Sequence, residues 1–183
     1  MLAPRLLLLA AVVVTPLMAQ RGERLAPYVP SPQPVVDRML EAAEIKPGEI
    51  VYDLGCGDGR VVITAARDFK AKSVGVELSE PLVKQAQDTV RRMNLQNRVS
   101  IVQGDLMEVD LKPADVVTLY LLTSSNDQLK PMLEKSLRAG ARVVSHDFVM
   151  RGWKPVRTDS VWVSGRTHNI YVYQMPPVKT DGR

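Results

Sequence analysis

Between Ile50 and Ala66 the chain reads IVYDLGCGDGRVVITAA, with Gly55, Gly57 and Gly59 inside five positions and Asp53 and Asp58 beside them. An apolar run precedes the glycines and a helix-spaced run follows, so the segment reads as strand, turn and helix. Such a turn lets bare backbone approach a ligand closely. The dinucleotide fingerprint G-x-G-x-x-G would need a third glycine where this chain has Arg60, and no Lys-Ser/Thr pair follows as in a phosphate-gripping P-loop. Asp58 inside the turn would repel a pyrophosphate. The loop therefore suits a ligand that carries positive charge.

The acids beyond the turn extend this reading. A ligand bearing a sulfonium and an amino-acid ammonium matches them, with Asp53 taking the ammonium through a charge-assisted hydrogen bond and the backbone of Leu54, Gly55 and Gly57 completing the cradle. Glu77 ends the next predicted strand, about 20 residues on, where a carboxylate binds ribose hydroxyls. Asp105 follows Gly104 at the end of a third strand, where it can accept from an adenine amino group or stand as a solvated carboxylate.

The elements that must position these residues alternate. Helical spacing covers 35–45, 60–69 and 80–93, the last capped by Ser79 with Pro81 in its first turn. Strands are predicted at 50–54, 73–77, 99–103, 115–121 and 141–145. A helix over 125–138 is expected to break at Pro131, which would open its second half. The β-rich stretches of residues 160–175 around Gly165-Arg166 read as an antiparallel hairpin. Strands alternating with helices imply an α/β fold with a doubly wound, mostly parallel sheet. Ligands then sit beyond the carboxyl ends of the strands.

The 183 residues allow one domain with short additions; 45% are hydrophobic and 24% charged, which excludes a disordered or fibrous chain. The net charge of +4 comes from scattered Lys and Arg, so a solvated surface is expected rather than a nucleic-acid groove. One cysteine, Cys56, and two histidines, His146 and His168, exclude an intramolecular disulfide and zinc-type ligand spacing. Residues 1–20 have one basic residue, Arg5, then an apolar run and a small residue at its exit, the layout of a signal peptide or a short membrane anchor. The expected organisation is this leader, a proline-rich connector over 21–34, a catalytic domain over 35–175 and a tail over 176–183. An exported or membrane-anchored location, with membrane association through residues 1–20, follows if the leader acts as a signal; otherwise the location is cytoplasmic.

VYDLGCGDG, GVELS and VQGDL together resemble the class I S-adenosylmethionine-dependent methyltransferases. PYVPSP, LYLLTSSNDQLKPMLEKSLRAGARVVSHDF and GWKPV narrow the resemblance to the small protein-lysine methyltransferases. These include the mitochondrial enzymes that modify the ATP synthase c-subunit and the archaeal broad-specificity lysine enzymes. The resemblance implies S-adenosyl-L-methionine as cofactor, a seven-stranded sheet whose last strand is antiparallel, and a protein substrate with an accessible lysine. The sequence names no oligomeric state.

Methyl transfer from a sulfonium is an in-line displacement that needs positioning and a neutral amine more than a dedicated base. Tyr120 follows the fourth strand, so its ring can line a lysine channel and face a cation; packing in the core is its bland alternative. Tyr28 in PYVPSP can fold over the site as a lid or lie on the surface. Asn126, Thr123 and Ser124 can orient the amine, though Ser124 or Ser125 can instead cap a helix. The resemblance places His146, in SHDF, near the substrate entrance, and without a serine elbow His146-Asp147 does not read as a hydrolase dyad. The Asn-Pro-Pro-aromatic tetrad of base-methylating enzymes is absent, which argues against nucleic acid as substrate.

Overall fold

The computed structural model describes residues 25–180. The leader and the first part of the connector lie outside the described residues, so the signal-peptide reading has no structural counterpart there. Eleven elements follow in order: α1 Gln33–Ala42, β1 Ile50–Leu54, α2 Arg60–Asp68, β2 Lys72–Glu77, α3 Glu80–Arg92, β3 Val99–Gln103, β4 Val116–Leu119, α4 Thr123–Ser136, β5 Arg142–His146, β6 Arg157–Val163 and β7 Arg166–Gln174.

The strands form one seven-stranded sheet in the order β3-β2-β1-β4-β5-β7-β6. The first five are parallel, β7 runs antiparallel to β5, and β6 pairs antiparallel with β7. The expected architecture is present, including the antiparallel hairpin. Its two-residue turn, Ser164-Gly165, takes positive φ at both positions (54° and 80°), the twist-matched turn of a tight hairpin.

Period-2 alternation divides the core into two faces. Val51, Val116 and Val144 pack with Val35, Val36, Met39 and Leu40 of α1 and with Val61 and Ala65 of α2. Their sequence neighbours Tyr52, Val117 and Val143 pack with Leu129 and Leu133 of α4 and with Trp153 and Tyr173 on the other face. After β3 at one edge the chain crosses back to β4 beside β1, so the strand order reverses between β1 and β4 and the switch point lies at the loop after β1.

Three local expectations are corrected. The proline-rich connector hands over to α1 at Gln33, with Pro34 inside the first turn. The Pro32 carbonyl accepts the Val35 and Val36 N–H groups at 2.9 and 3.1 Å, and a first-turn proline has no bond to lose. Helix α4 starts at Thr123 and runs unbroken through Pro131. An internal proline costs about 3 kcal/mol. Here Pro131 lies on the exposed side of the helix, while Leu129 and Leu133 on either side are fully buried. Each buried leucine contributes roughly 1.5–3 kcal/mol, enough to hold the helix together. Ser79 makes no side-chain cap on α3.

Candidate active site

The carboxyl ends of β1, β2, β3 and β4 open into one cavity that is continuous with solvent. Asp53, Gly55, Gly57, Asp58, Glu77, Asp105, Tyr120 and Tyr28 all line it, so most of the residues singled out in the sequence converge.

The floor is the glycine loop. Gly55 and Cys56 donate backbone N–H bonds to the Val76 carbonyl at 2.8 and 3.0 Å, tying the loop to β2. Gly57 has φ 55°, and a Cβ there would stand 2.4 Å from the Tyr28 ring. Gly59 caps α2 with φ 80°. Gly75 in β2 is a requirement that sequence reading missed: a Cβ on it would lie 2.6 Å from Cys56 Sγ. The bare Cα of Gly75 is therefore what lets the buried Cys56 tuck under the loop.

Asp53 is 6% exposed, and its Oδ1 accepts a 2.6 Å hydrogen bond from Thr118 Oγ1 of the neighbouring strand. Burial pushes its pKa up to about 7; the Thr118 bond opposes this, and the nearby Asp58 and Glu77 charges add to it. A cation beside Asp53 would restore its charge. Thr118 carries no motif in the sequence and enters only because the register pairs it with Asp53.

Glu77 accepts from Gly57 N–H at 3.0 Å with Oε2 and from Ser79 N–H at 2.8 Å with Oε1. One carboxylate thus braces both the glycine loop and the start of α3, and each oxygen keeps a lone pair for a hydroxyl. Asp105 lines the cavity and bonds the Met107 N–H at 2.8 Å, closing the turn after β3.

Asp58 answers the excess of negative charge in the loop. Its two oxygens face Arg60, with Nη2 at 2.6 Å and Nε at 3.0 Å. Although the half-buried position opposes ionisation, the Arg60 hydrogen bonds and charge hold Asp58 below the ordinary carboxylate range. Arg60 Nη1 also donates to the Ser31 carbonyl at 2.7 Å. Ser125 of α4 hydrogen-bonds the Leu25 carbonyl. These contacts lay residues 25–31 across the cavity as a strap, with the Tyr28 ring against Gly57.

Five predicted site residues do not line the cavity, Thr123 and Ser124 among them, which begin α4. Leu54 is fully buried and points its side chain into the α4 face of the core, so only its backbone lies near the site. Asn126 is fully buried and donates to the Phe148 carbonyl at 3.0 Å, holding the loop after β5. His146 is fully buried behind Tyr120, with ring centroids 3.8 Å apart in a stacked pair.

Among the described residues the cavity presents four carboxylates and one guanidinium, the latter spent on Asp58. Its backbone floor and its buried Asp53 fit a ligand with a cationic amino-acid end and a ribose. A family model for the ANTKMT methyltransferase domain matches residues 53–157, which span this loop and run from the end of β1 through β5. The chain belongs to the ANTKMT methyltransferase domain family. Its cofactor is S-adenosylmethionine, and the donor set fits: Asp53 for the ammonium, Glu77 for the ribose hydroxyls and the glycine loop for close backbone approach.

Relatives of this methyltransferase agree. It is 49% identical over 148 residues to a protein-lysine N-methyltransferase of Saccharolobus islandicus, covering 80% of this chain and 92% of that protein. It is 33% identical to the adenine nucleotide translocase lysine N-methyltransferase of Mus musculus, covering 84% and 72% of the two chains. The crystal structure of an RNA methyltransferase from Salinibacter ruber in complex with S-adenosyl-L-homocysteine is 47% identical. That match has a TM-score of 0.76 and covers 81% of this chain and 94% of the other.

Proposed function

We propose that this methyltransferase transfers the methyl group to a lysine amine of a protein. The observation that carries the reading is the mouth beyond the cofactor carboxylates: Tyr120 and Leu121 line it, and the only cationic lining residue among the described residues, Arg60, is paired with Asp58. Such a mouth offers a phosphate backbone no free cation, and its tyrosine face suits an ammonium-tipped side chain. The lysine enzymes among the relatives support the same reading.

The bound cofactor supplies an electrophilic methyl on a sulfonium; the rest falls to the residues around it. Tyr120, at the end of β4, forms the wall along which an aliphatic lysine stem can lie, with Leu121 next to it. The amine must be neutral to attack, and a free lysine has a pKa of about 10.4. Desolvation against this apolar wall favours loss of the proton. No side chain is required as an obligatory base.

A second reading, RNA as acceptor, rests on the name of the Salinibacter ruber relative. Incubating the full chain with methyl-labelled S-adenosylmethionine and a cell extract separates the two. Label in hydrolysed protein as methyllysine is the expected outcome; label in RNA alone would overturn the lysine assignment. We also read residues 1–20 as an export or anchoring segment, which a fused reporter active only outside the cytoplasm would test.

A further inference from the structure

Behind Tyr120 lies a polar cluster that the cofactor site does not use. His146 Nδ1 is 2.9 Å from Ser31 Oγ, and its Nε2 is 2.8 Å from His168 Nδ1. Asp147 Oδ2 lies 3.3 Å from His146 Nε2 and 3.5 Å from His168 Nδ1. These donor types are those of a metal centre, but they are already spent. The two imidazoles satisfy each other, and Arg166 Nη1 sits 2.8 Å from the same Asp147 oxygen. The other Asp147 oxygen accepts the Asn169 N–H at 2.8 Å.

What the cluster does instead is fix Tyr120 from two sides. The His146 ring stacks under the tyrosine ring, and Arg166 Nη2 donates to its hydroxyl at 3.3 Å. Ser31 belongs to the strap and lines the cavity, so one imidazole touches both the strap and the tyrosine. His146 is fully buried, with its rotation locked by hydrogen bonds at both nitrogens. Burial drives its pKa down to about 4; Asp147 opposes the shift, and His168 and Arg166 reinforce it. The platform is therefore uncharged at neutral pH. His168 Nε2 is buried without a partner among the described residues. An orphaned lone pair is more tolerable than an orphaned N–H. That favours the tautomer in which His168 Nδ1–H donates to His146 Nε2 and His146 Nδ1–H donates to Ser31.

We propose that His146 and Arg166 are positioning residues for the methyl acceptor. His146 is the platform that sets the plane of the Tyr120 ring, and Arg166, anchored on Asp147, sets its hydroxyl. The inference rests on Tyr120 facing the acceptor. If it holds, the effect of His146 on catalysis passes through Tyr120 and leaves the cofactor end of the cavity alone.

A double-mutant cycle in the full chain tests this. His146→Ala should lower kcat/KM for the acceptor about tenfold in the wild-type background and less than about twofold in a Tyr120→Ala background. S-adenosylhomocysteine affinity, read by calorimetry, should stay within about threefold throughout. Additive losses, or an equal loss of cofactor affinity, would overturn the proposal. Should His146→Ala fail to fold, Arg166→Ala against Tyr120→Phe decides the matter, because Arg166 is half-exposed. Its loss should vanish when the hydroxyl is absent, and an unchanged loss would refute the assignment. The cycle is run on whichever acceptor the wild-type chain labels, so failure of the lysine reading changes the substrate of the assay and not its outcome.

Discussion

Replacing Asp53 with asparagine separates the cost of the buried carboxylate from its use. The Asn amide oxygen can still accept from Thr118, so the change removes charge and little else. In the ligand-free protein the Asp53 pKa stands at about 7 against an ordinary 3.8. An acid whose folded pKa is raised holds more protons folded than unfolded, so stability falls as pH rises between the two values. The slope is at most about 1.4 kcal/mol per pH unit, and the full penalty above pH 7 is on the order of 4 kcal/mol. Asp53→Asn should therefore gain on the wild type in urea denaturation as pH is raised from about 4 to 7, with the gap constant above. S-adenosylhomocysteine should reverse the order. Wild-type affinity should rise with pH up to about 7, while the variant should bind at least tenfold more weakly with no pH dependence, the loss of a hydrogen bond to a charged group. A stability gap identical at pH 5 and pH 8 would refute the buried, cation-seeking role of Asp53.

Other perturbations bear on separate parts of the site. Glu77→Gln should weaken S-adenosylhomocysteine binding about tenfold in calorimetry and loosen the glycine loop, since the amide keeps one acceptor oxygen and leaves either the Gly57 or the Ser79 N–H unpaired. Gly75→Ala should destabilise the fold by about 1–3 kcal/mol through overpacking against Cys56 and Ile101, and adding Cys56→Ala should recover part of that in thermal unfolding. Tyr120→Phe should lower turnover while leaving cofactor affinity within about twofold, because its hydroxyl contacts Arg166 and not the loop.

Much of the fold was legible because local signals and burial agree. Strands Ile50–Leu54 and Val99–Gln103 lie where their apolar runs predict them. Pro131 misled for a physical reason: its local penalty is real, but two buried leucines outweigh it. Within the site, Asp53, Glu77, Tyr28 and Tyr120 were readable from their places after strands or in a motif. Thr118 and Gly75 were not, since their roles depend on cross-strand register and on one sulfur atom. Asn126 and His146 were drawn toward the cavity by position in sequence, whereas the structure uses both to hold neighbouring loops and rings. The Arg60–Asp58 pair was missed because its arginine occupies the position where a dinucleotide site has glycine.

The central claim is that the acid-lined glycine loop is the cofactor site of this methyltransferase. A crystal structure of the full chain grown with S-adenosylhomocysteine tests it most directly. The account predicts the ribose on Glu77 and the amino-acid end beside Asp53, under the strap carrying Tyr28. Density for the ligand away from that loop, with Asp53 and Glu77 untouched, would contradict it.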